Sequence, residues 1–562
     1  MSEKNIEIVV NKIKALKCKR EEILKLDPED ALDAIMSYEE VVPLVHSFPE
    51  QSLYMLMHEV GHEDFLPILS FASKKQWEYL IDMEVWEHDI IDIDKASYWL
   101  GVLYLANAPR LADWLLNDQD DFFVYYLRNK IDVVIREHDE DPSIIPDDYI
   151  TFDDVIYFKI FEKESEKLPV EIKRVVQDML ARIAEKSYAL YQTILFIAAG
   201  VINAEHLDNL YRLKNARLEG KGLIPFDEAI EIYSSFSSND IQKRSLKDTS
   251  SLGYLNNNGS LDTNSLVNIF SVENYLIDKD FFSLEFISLC NRIIVADKLK
   301  IRAREDLKAV AERISGVLKI GAQQILDVDE ESTDQKKIAY VFSEYSLIDI
   351  FKIGHTLIKN LRTRIISMKK NSWFKKNNFQ PTFLGEEWFG IAGGLFLWPP
   401  LYFDNFKTSD RIYKNFISID EIRKIETELD FMEKMDSLFA LLGIREIKCS
   451  PSLISWDNFL LTLWARDWLH LEEKAFEPIP LEKFILFYSW LFSKLENKSG
   501  IDVEQKQDFL TWLIRETEID EFFLMDELGG LFDRLFLEIE QEYSSVDVKS
   551  LDSRYIKFFI VE

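Results

Sequence analysis

The sequence predicts an all-α fold: a stack of short helices at the N-terminus, then larger helical bundles. Three observations predict it. Helix-start signals recur through residues 26–80, glycine and proline are scarce, and the alternating patterns that strands need are few. Of 562 residues, 18 are Gly and 15 are Pro, well below the usual roughly 7% and 5%. With so few breakers, long stretches of chain can stay helical.

The start signals set the N-terminal architecture. Asp27 is followed three residues on by Asp30, Ser37 by Glu40, Ser47 by Glu50 and Ser73 by Gln76, and Gly61 with Asp64 fits the same slot. A small polar side chain there accepts an early helical N–H, and the acid or Gln three residues on reaches back. Pro28 and Pro49 fall just inside two starts, where a missing N–H costs least. Between starts, Leu53, Leu56 and Met57, then Phe65, Ile68 and Leu69, recur at helical spacing. Helices of two or three turns cannot bury such a face alone, so they must stack on their neighbours.

Further along, an apolar hairpin is expected around Pro109 and one helix over 122–135. Residues 139–148 read as an acidic connection, and Thr151 with Asp154 opens the next piece. Helices are expected over 170–189 and 191–202, and a basic helix ends at Gly220 or Gly222. Apolar faces mark two more, one through Leu307, Ile314 and Gly321, the other through Leu347, Phe351 and Leu361. Residues 388–400, with Gly390, Gly393, Gly394, Pro399 and Pro400, read as a buried loop, and 551–561 as an extended tail that docks back. The resulting domains are a helical-repeat domain at 1–137, a helical domain at 150–233, a polar linker at 234–264, a helical domain at 265–376 and an aromatic-rich helical domain at 377–562.

Composition narrows the function. Asp and Glu number 99 against 66 Lys and Arg, a net charge of −33. Such a chain repels phosphate and anionic lipid, which excludes general nucleic-acid binding and lipid docking. No run reaches the roughly 18–20 apolar residues of a membrane span, and residues 1–5 lack the profile of a signal peptide. Cys18, Cys290 and Cys449 are too far apart for a disulfide framework or zinc spacing, which fits a reducing cytoplasm.

One catalytic pattern stands out. His58-Glu59-Val60-Gly61-His62 matches H-E-x-x-H, in which two His on one helical face bind zinc and the Glu serves as general base. Glu78, with Asp82 four residues on, or Glu84 would supply the third ligand. The helix register opposes this: Gly61 falls at a junction, and a break there takes His58 and His62 off a shared face. His355 and His470 read as core histidines, and His88 and His138 lie in acidic surface runs. A basic cluster, Arg362 to Lys376, reads as a solvated helix end or as a patch that docks on the protein's own acids. Acidic runs at 118–121, 137–141 and 327–331 lack EF-hand spacing and read as solvated faces. There is no P-loop, G-x-G-x-x-G or G-x-S-x-G.

Leu26-Asp27-Pro28-Glu29-Asp30-Ala31 and Phe48-Pro49-Glu50-Gln51-Ser52-Leu53 resemble the repeats of the N-terminal superhelical domain of MgtE-type magnesium transporters, over roughly residues 20–95. The transporters' CBS pair and membrane domain have no counterpart in the sequence. Over most of its length the chain resembles an uncharacterised family of long, cytoplasmic, all-helical bacterial proteins. The residues that carry this are Asn215-Ala216-Arg217-Leu218-Glu219, Asn291-Arg292-Ile293-Ile294-Val295-Ala296-Asp297, Phe351-Lys352-Ile353-Gly354-His355 and Asp552-Ser553-Arg554-Tyr555. In that family the positions of His58 and His62 need not be His.

The leading expectation is therefore a non-enzymatic cytoplasmic scaffold or regulatory protein, without a cofactor, that binds a protein partner on its repeat surface. The alternatives are a zinc hydrolase on His58, Glu59, His62 and Glu78, and a magnesium-sensing module.

Overall fold

The structure is a computed structural model and describes residues 3–87, 89–136, 145–161, 169–200, 204–243, 279–326, 335–443, 447–450, 453–471, 476–492 and 501–562. It is predominantly helical, as the sequence predicts. The chain divides into two compact units. Unit 1 comprises Met1–Ser234, Lys243–Ile314 and Phe342–Ile348; unit 2 comprises Ser235–Gln242, Ser315–Val341 and Asp349–Glu562. Most of the expected polar linker, and the acidic runs at 137–141 and 327–331, lie outside the described residues, as do His88 and His138.

Unit 1 opens with α1 (Glu3–Ile23), α2 (Pro28–Met36), α3 (Val41–Ser47), α4 (Glu50–Val60), α5 (Leu66–Phe71) and α6 (Lys74–Glu84). These are the short helices the start signals call for. Each packs on the helix two places along: α1 on α3, α2 on α4, α3 on α5 and α4 on α6. Ile35, Leu44, Phe65, Ile68 and Trp77 are completely buried in the stack.

The individual caps differ from expectation. Of the start signals read between residues 26 and 80, only that at Ser73 closes a capping box, its Oγ accepting Gln76 N at 3.3 Å while Gln76 Oε1 accepts Ser73 N at 2.6 Å. Ser37 and Ser47 sit at helix ends instead, donating back to the carbonyls of Ala34 (3.4 Å) and Leu44 (2.7 Å). A serine hydroxyl serves either role, and local sequence does not choose between them.

A two-stranded ribbon, β1 (Trp86–Glu87) and β2 (Ile90–Ile91), leads into α7 (Ile93–Asn117). The hairpin expected at Pro109 is a break within α7 at Asn107 (φ −164°, ψ 89°), whose Oδ1 caps Arg110 N at 3.1 Å. Proline cannot supply the missing helical N–H, so the chain restarts there.

The helix expected over 122–135 stops short. α8 (Asp120–Lys130) ends at Lys130, and β3 (Ile131–Ile135) follows. β3 pairs antiparallel with β5 (Ile156–Ile160), which is also flanked by β4 (Ile150–Thr151). The β-branched run Ile131-Asp132-Val133-Val134-Ile135 prefers the pleated surface, where Val133 lies opposite Phe158. Thr151 opens no helix: its Oγ1 accepts the amide of Asp154 at 3.0 Å in a turn where Asp154 has φ +55°. α9 (Ile172–Lys186), α10 (Tyr188–Ala199) and α11 (Ala204–Glu219) follow, close to where the sequence places them, and then α12 (Phe226–Ala229) and α13 (Lys279–Ala296).

Unit 2 receives the C-terminal part of α14 (Arg304–Leu326), then most of α15 (Gln335–Glu344) and of α16 (Leu347–Asn371). α14 and α16 approach so closely that a Cβ on Gly321 would lie 2.0 Å from the Ile350 carbonyl oxygen, and one on Gly354 2.2 Å from that of Val317. After α17 (Trp373–Lys376), the expected buried loop at 388–400 proves to be α18 (Gly385–Phe396) and a short turn. Its glycines make room for the hairpin β6 (Tyr402–Phe403) and β7 (Tyr413–Lys414): the Phe403 ring lies against Gly390 and the Leu401 carbonyl against Gly394.

α19 (Ile419–Leu442), α20 (Trp456–Trp468), α21 (Leu481–Leu491), α22 (Val503–Thr517) and α23 (Glu521–Tyr543) complete the unit. Trp464 is fully buried among Phe487, Phe509 and Phe536. The tail docks back, Val561 bridging Ile479 and Ile560 N donating to Thr462 Oγ1 at 2.9 Å. The basic cluster meets the chain's own acids and rings. Arg364 pairs with Asp430 (2.6 Å) and Glu433 (2.9 Å), and Arg362 lies 5.3 Å from the Trp398 ring. His355 is buried beside Phe351 and Trp398, whereas His470, expected in the core, is exposed at the end of α20.

Candidate functional site

The H-E-x-x-H pattern of unit 1 straddles a helix end. α4 stops at Val60, and Gly61 takes φ +105°, a conformation that only glycine adopts at little cost. His62 is thus off the helix that carries His58. The turn nevertheless brings the rings together, with centroids 5.4 Å apart and perpendicular, and Trp99 lies 5.1 Å from His62. Burial pushes the His62 imidazole below its ordinary range, and neighbouring His58 adds to this.

The partner of His58 is Glu84, at the end of α6, with Nε2 3.2 Å from Oε1. The side chain of Glu84 is 3% exposed and His58 is 7% exposed. Tyr54, one helical turn before His58 on α4, donates its hydroxyl to the same oxygen at 2.5 Å. Arg302 reaches both carboxylate oxygens, at 3.3 and 3.1 Å, and Lys300 lies 3.4 Å from Oε2. Burial alone would raise the Glu84 carboxyl, but the adjacent His58 imidazole, the bond from Tyr54 and the two cations hold it well below the usual carboxylate range. A carboxylate so held is a weak proton acceptor near neutrality and serves as an anchor for four side chains. Burial, with Glu84 beside it, drives the Tyr54 phenol far above its usual range.

The other predicted residues lie apart. Glu59 points elsewhere, its Oε1 3.4 Å from Arg304 N. Glu78 accepts from Gln119 Nε2 at 2.8 Å and faces Arg217 at 3.6 Å. It belongs to a second cluster around buried Asp82, which Arg217 of α11 grips with two bonds of 2.8 and 2.7 Å. Burial pulls the Arg217 guanidinium down, and the Asp82 carboxylate more than reverses this. Lys214, one turn earlier, lies over the rings of Trp86 (4.8 Å) and Tyr211 (5.6 Å), and burial lowers it to about 8.

The structure thus brings His58 and His62 together but leaves Glu59 and Glu78 outside. Among the described residues, no group of three or more His, Cys, Asp or Glu is arranged to hold a metal ion. Glu84, the remaining candidate third ligand, already has two cations beside it, which disfavours a third positive charge. In the acidic run at 118–121, Asp118 pairs with Lys74 at 2.6 Å.

Residues 9–562 match a family described as a family of unknown function, DUF6178. The chain belongs to that family. No curated protein and no solved structure matches it.

The span matched to DUF6178 includes both charged clusters. Sequence reasoning singled out their acids but not their cations. Arg302 and Lys300 stand in no motif, Arg217 was singled out only for the family resemblance, and each of the three lies more than a hundred residues from the acid it pairs with. The only available signal was negative: buried carboxylates such as Asp82 and Glu84 require partners.

Proposed function

We propose that this DUF6178 member is a non-enzymatic, cytoplasmic scaffold or regulator that holds an acidic protein partner against its short-helix stack. The observation that carries the reading is the outer face of α1. In a chain of net charge −33, residues 12–20 place Lys12, Lys14, Lys17, Lys19 and Arg20 on one helix with no acid among them. Val10 and Ile13, one turn apart on that helix, are 42% and 60% exposed. Exposed apolar side chains rimmed by cations fit a partner that is apolar at its centre and acidic at its edge. Arg20 is committed inward, donating to the Ser47 carbonyl, and Lys12, Lys17 and Lys19 lie beside Glu40 (2.7 Å), Glu21 (3.8 Å) and Glu22 (3.2 Å) in solvent-exposed pairs that a partner's acids can exchange, while Lys14 is exposed.

Two further points support the reading. The buried carboxylate of Glu84 is saturated by the protein's own cations and held low, which suits a framework better than an acid–base centre. Stacked short helices present extended surfaces, as in the superhelical repeats that residues 20–95 resemble.

The test compares proteins captured from cytoplasmic extract by the full chain and by the triple variant Ile13→Asp, Lys14→Glu, Lys17→Glu. A stoichiometric partner of the wild type, reduced at least tenfold with the variant at unchanged melting temperature, is expected. Identical capture by both overturns the proposal.

A further inference from the structure

Unit 2 contains a cavity of about 460 Å³, within the size range of small-molecule sites. The first turns of α18 and α20, the body of α23 and Lys557 of the tail line it. Trp388 and Trp456 stack on its wall, with centroids 4.5 Å apart and planes within 17°. Leu384, Phe389, Leu531 and Leu535 add apolar surface.

The charge around this cavity is unbalanced. Arg534 is already matched: Glu428, 4% exposed, takes two of its N–H groups at 2.5 and 3.0 Å and the Trp388 indole N–H at 2.8 Å. Four carboxylates remain, those of Glu386, Glu387, Asp457 and Glu538, against the exposed ammonium groups of Lys407 and Lys557. Asp457 accepts the Ser455 hydroxyl, whereas Glu386, Glu387 and Glu538 make no ion pair among the described residues. Partial burial pushes the Glu538 carboxyl up, Arg534 and Lys557 draw it back, and Asp457 and Glu387 push against them, so the carboxyl ends above its ordinary range.

The acids do not converge as metal ligands do. They share the cavity with a wall of indole and leucine. Several carboxylates and an apolar wall in one cavity suit a ligand whose positive charges are joined by methylenes. We infer that this cavity binds a linear aliphatic diamine or polyamine, with ammonium groups on Glu387, Asp457 and Glu538 and methylenes along Trp456 and Leu535. This assignment concerns unit 2 alone and stands whether or not α1 engages a partner.

The experiment is calorimetric titration of the full chain with spermidine at about 150 mM salt, which screens loose attraction to an acidic surface. The wild type is compared with Glu387→Gln/Glu538→Gln and with a control of equal charge change at exposed acids, Glu482→Gln/Glu504→Gln. One saturable site per chain is expected, with Kd at least tenfold weaker in the first variant and within twofold in the control. Should the first pair melt early, Glu387→Gln alone carries the test, with about a threefold loss. Absence of a saturable site, or equal weakening in both double variants, overturns the inference. Saturable Mg²⁺ binding lost with the same variant would also overturn it, in favour of a metal.

Discussion

Replacing Glu84 with Gln preserves the shape of the side chain and removes its charge. Tyr54 keeps an acceptor, but Lys300 and Arg302 lose their counter-ion. Removing one member of a buried ion pair typically costs ~3–5 kcal/mol. Here the cations are 36% and 47% exposed, so water recovers part of that cost, and about 2–3 kcal/mol is expected. The pH dependence has a definite sign. Glu84 is held below its unfolded value, so its contribution is complete above the unfolded carboxyl pKa of roughly 4.3 and is lost as pH falls through the folded value. The gap between wild type and Glu84→Gln is therefore constant from pH 7 to about 5 and shrinks in more acid solution. Hydrogen exchange of peptides covering α4 and α6 measures it locally, without assuming that the whole chain unfolds in one step. A difference below about 0.5 kcal/mol at pH 7, or one indifferent to acid, refutes the account of Glu84 as an ion-paired anchor.

Two other outcomes follow from the geometry. Gly321→Ala places a methyl group against the Ile350 backbone and should cost about 3 kcal/mol or more, whereas Gly390→Ala meets only the movable Phe403 ring and should cost less; thermal melts of the two variants give the order, and equal losses would contradict it. Lys214, lowered to about 8, should react with an acylating reagent along a pH profile centred near 8 rather than near the ordinary lysine value; peptide mapping of the labelled protein reads this directly.

The sequence revealed the helices well and their caps poorly. Start signals located α2 and α6, and helical spacing located α4, α5 and α16, because each buries one face. It failed at 131–135, where β-branched residues continue the apolar pattern of α8 and only pairing with 156–160 selects a strand. It failed again at Gly390 and Gly394, where glycines that signal a loop instead admit a hairpin against a helix. The break at Gly61 was legible from the start signals. The approach of His62 to His58 across that break was not, because it depends on Trp99 from another helix. The pairing of Arg302 with Glu84 and of Arg217 with Asp82 was invisible for the same reason: an ion pair between distant residues leaves no local trace.

That distance has a kinetic consequence. Glu84 joins Lys300 and Arg302 across 216 and 218 residues of chain, and Asp82 joins Arg217 across 135. The pairs α2 with α4 and α4 with α6 are neighbours in sequence and can assemble while the clasping arginines are still unsynthesised. Closing so long a loop comes late, after the stack has paid its own ordering entropy. The clasp then acts as a latch: its loss should quicken unfolding of the stack while leaving refolding nearly unchanged.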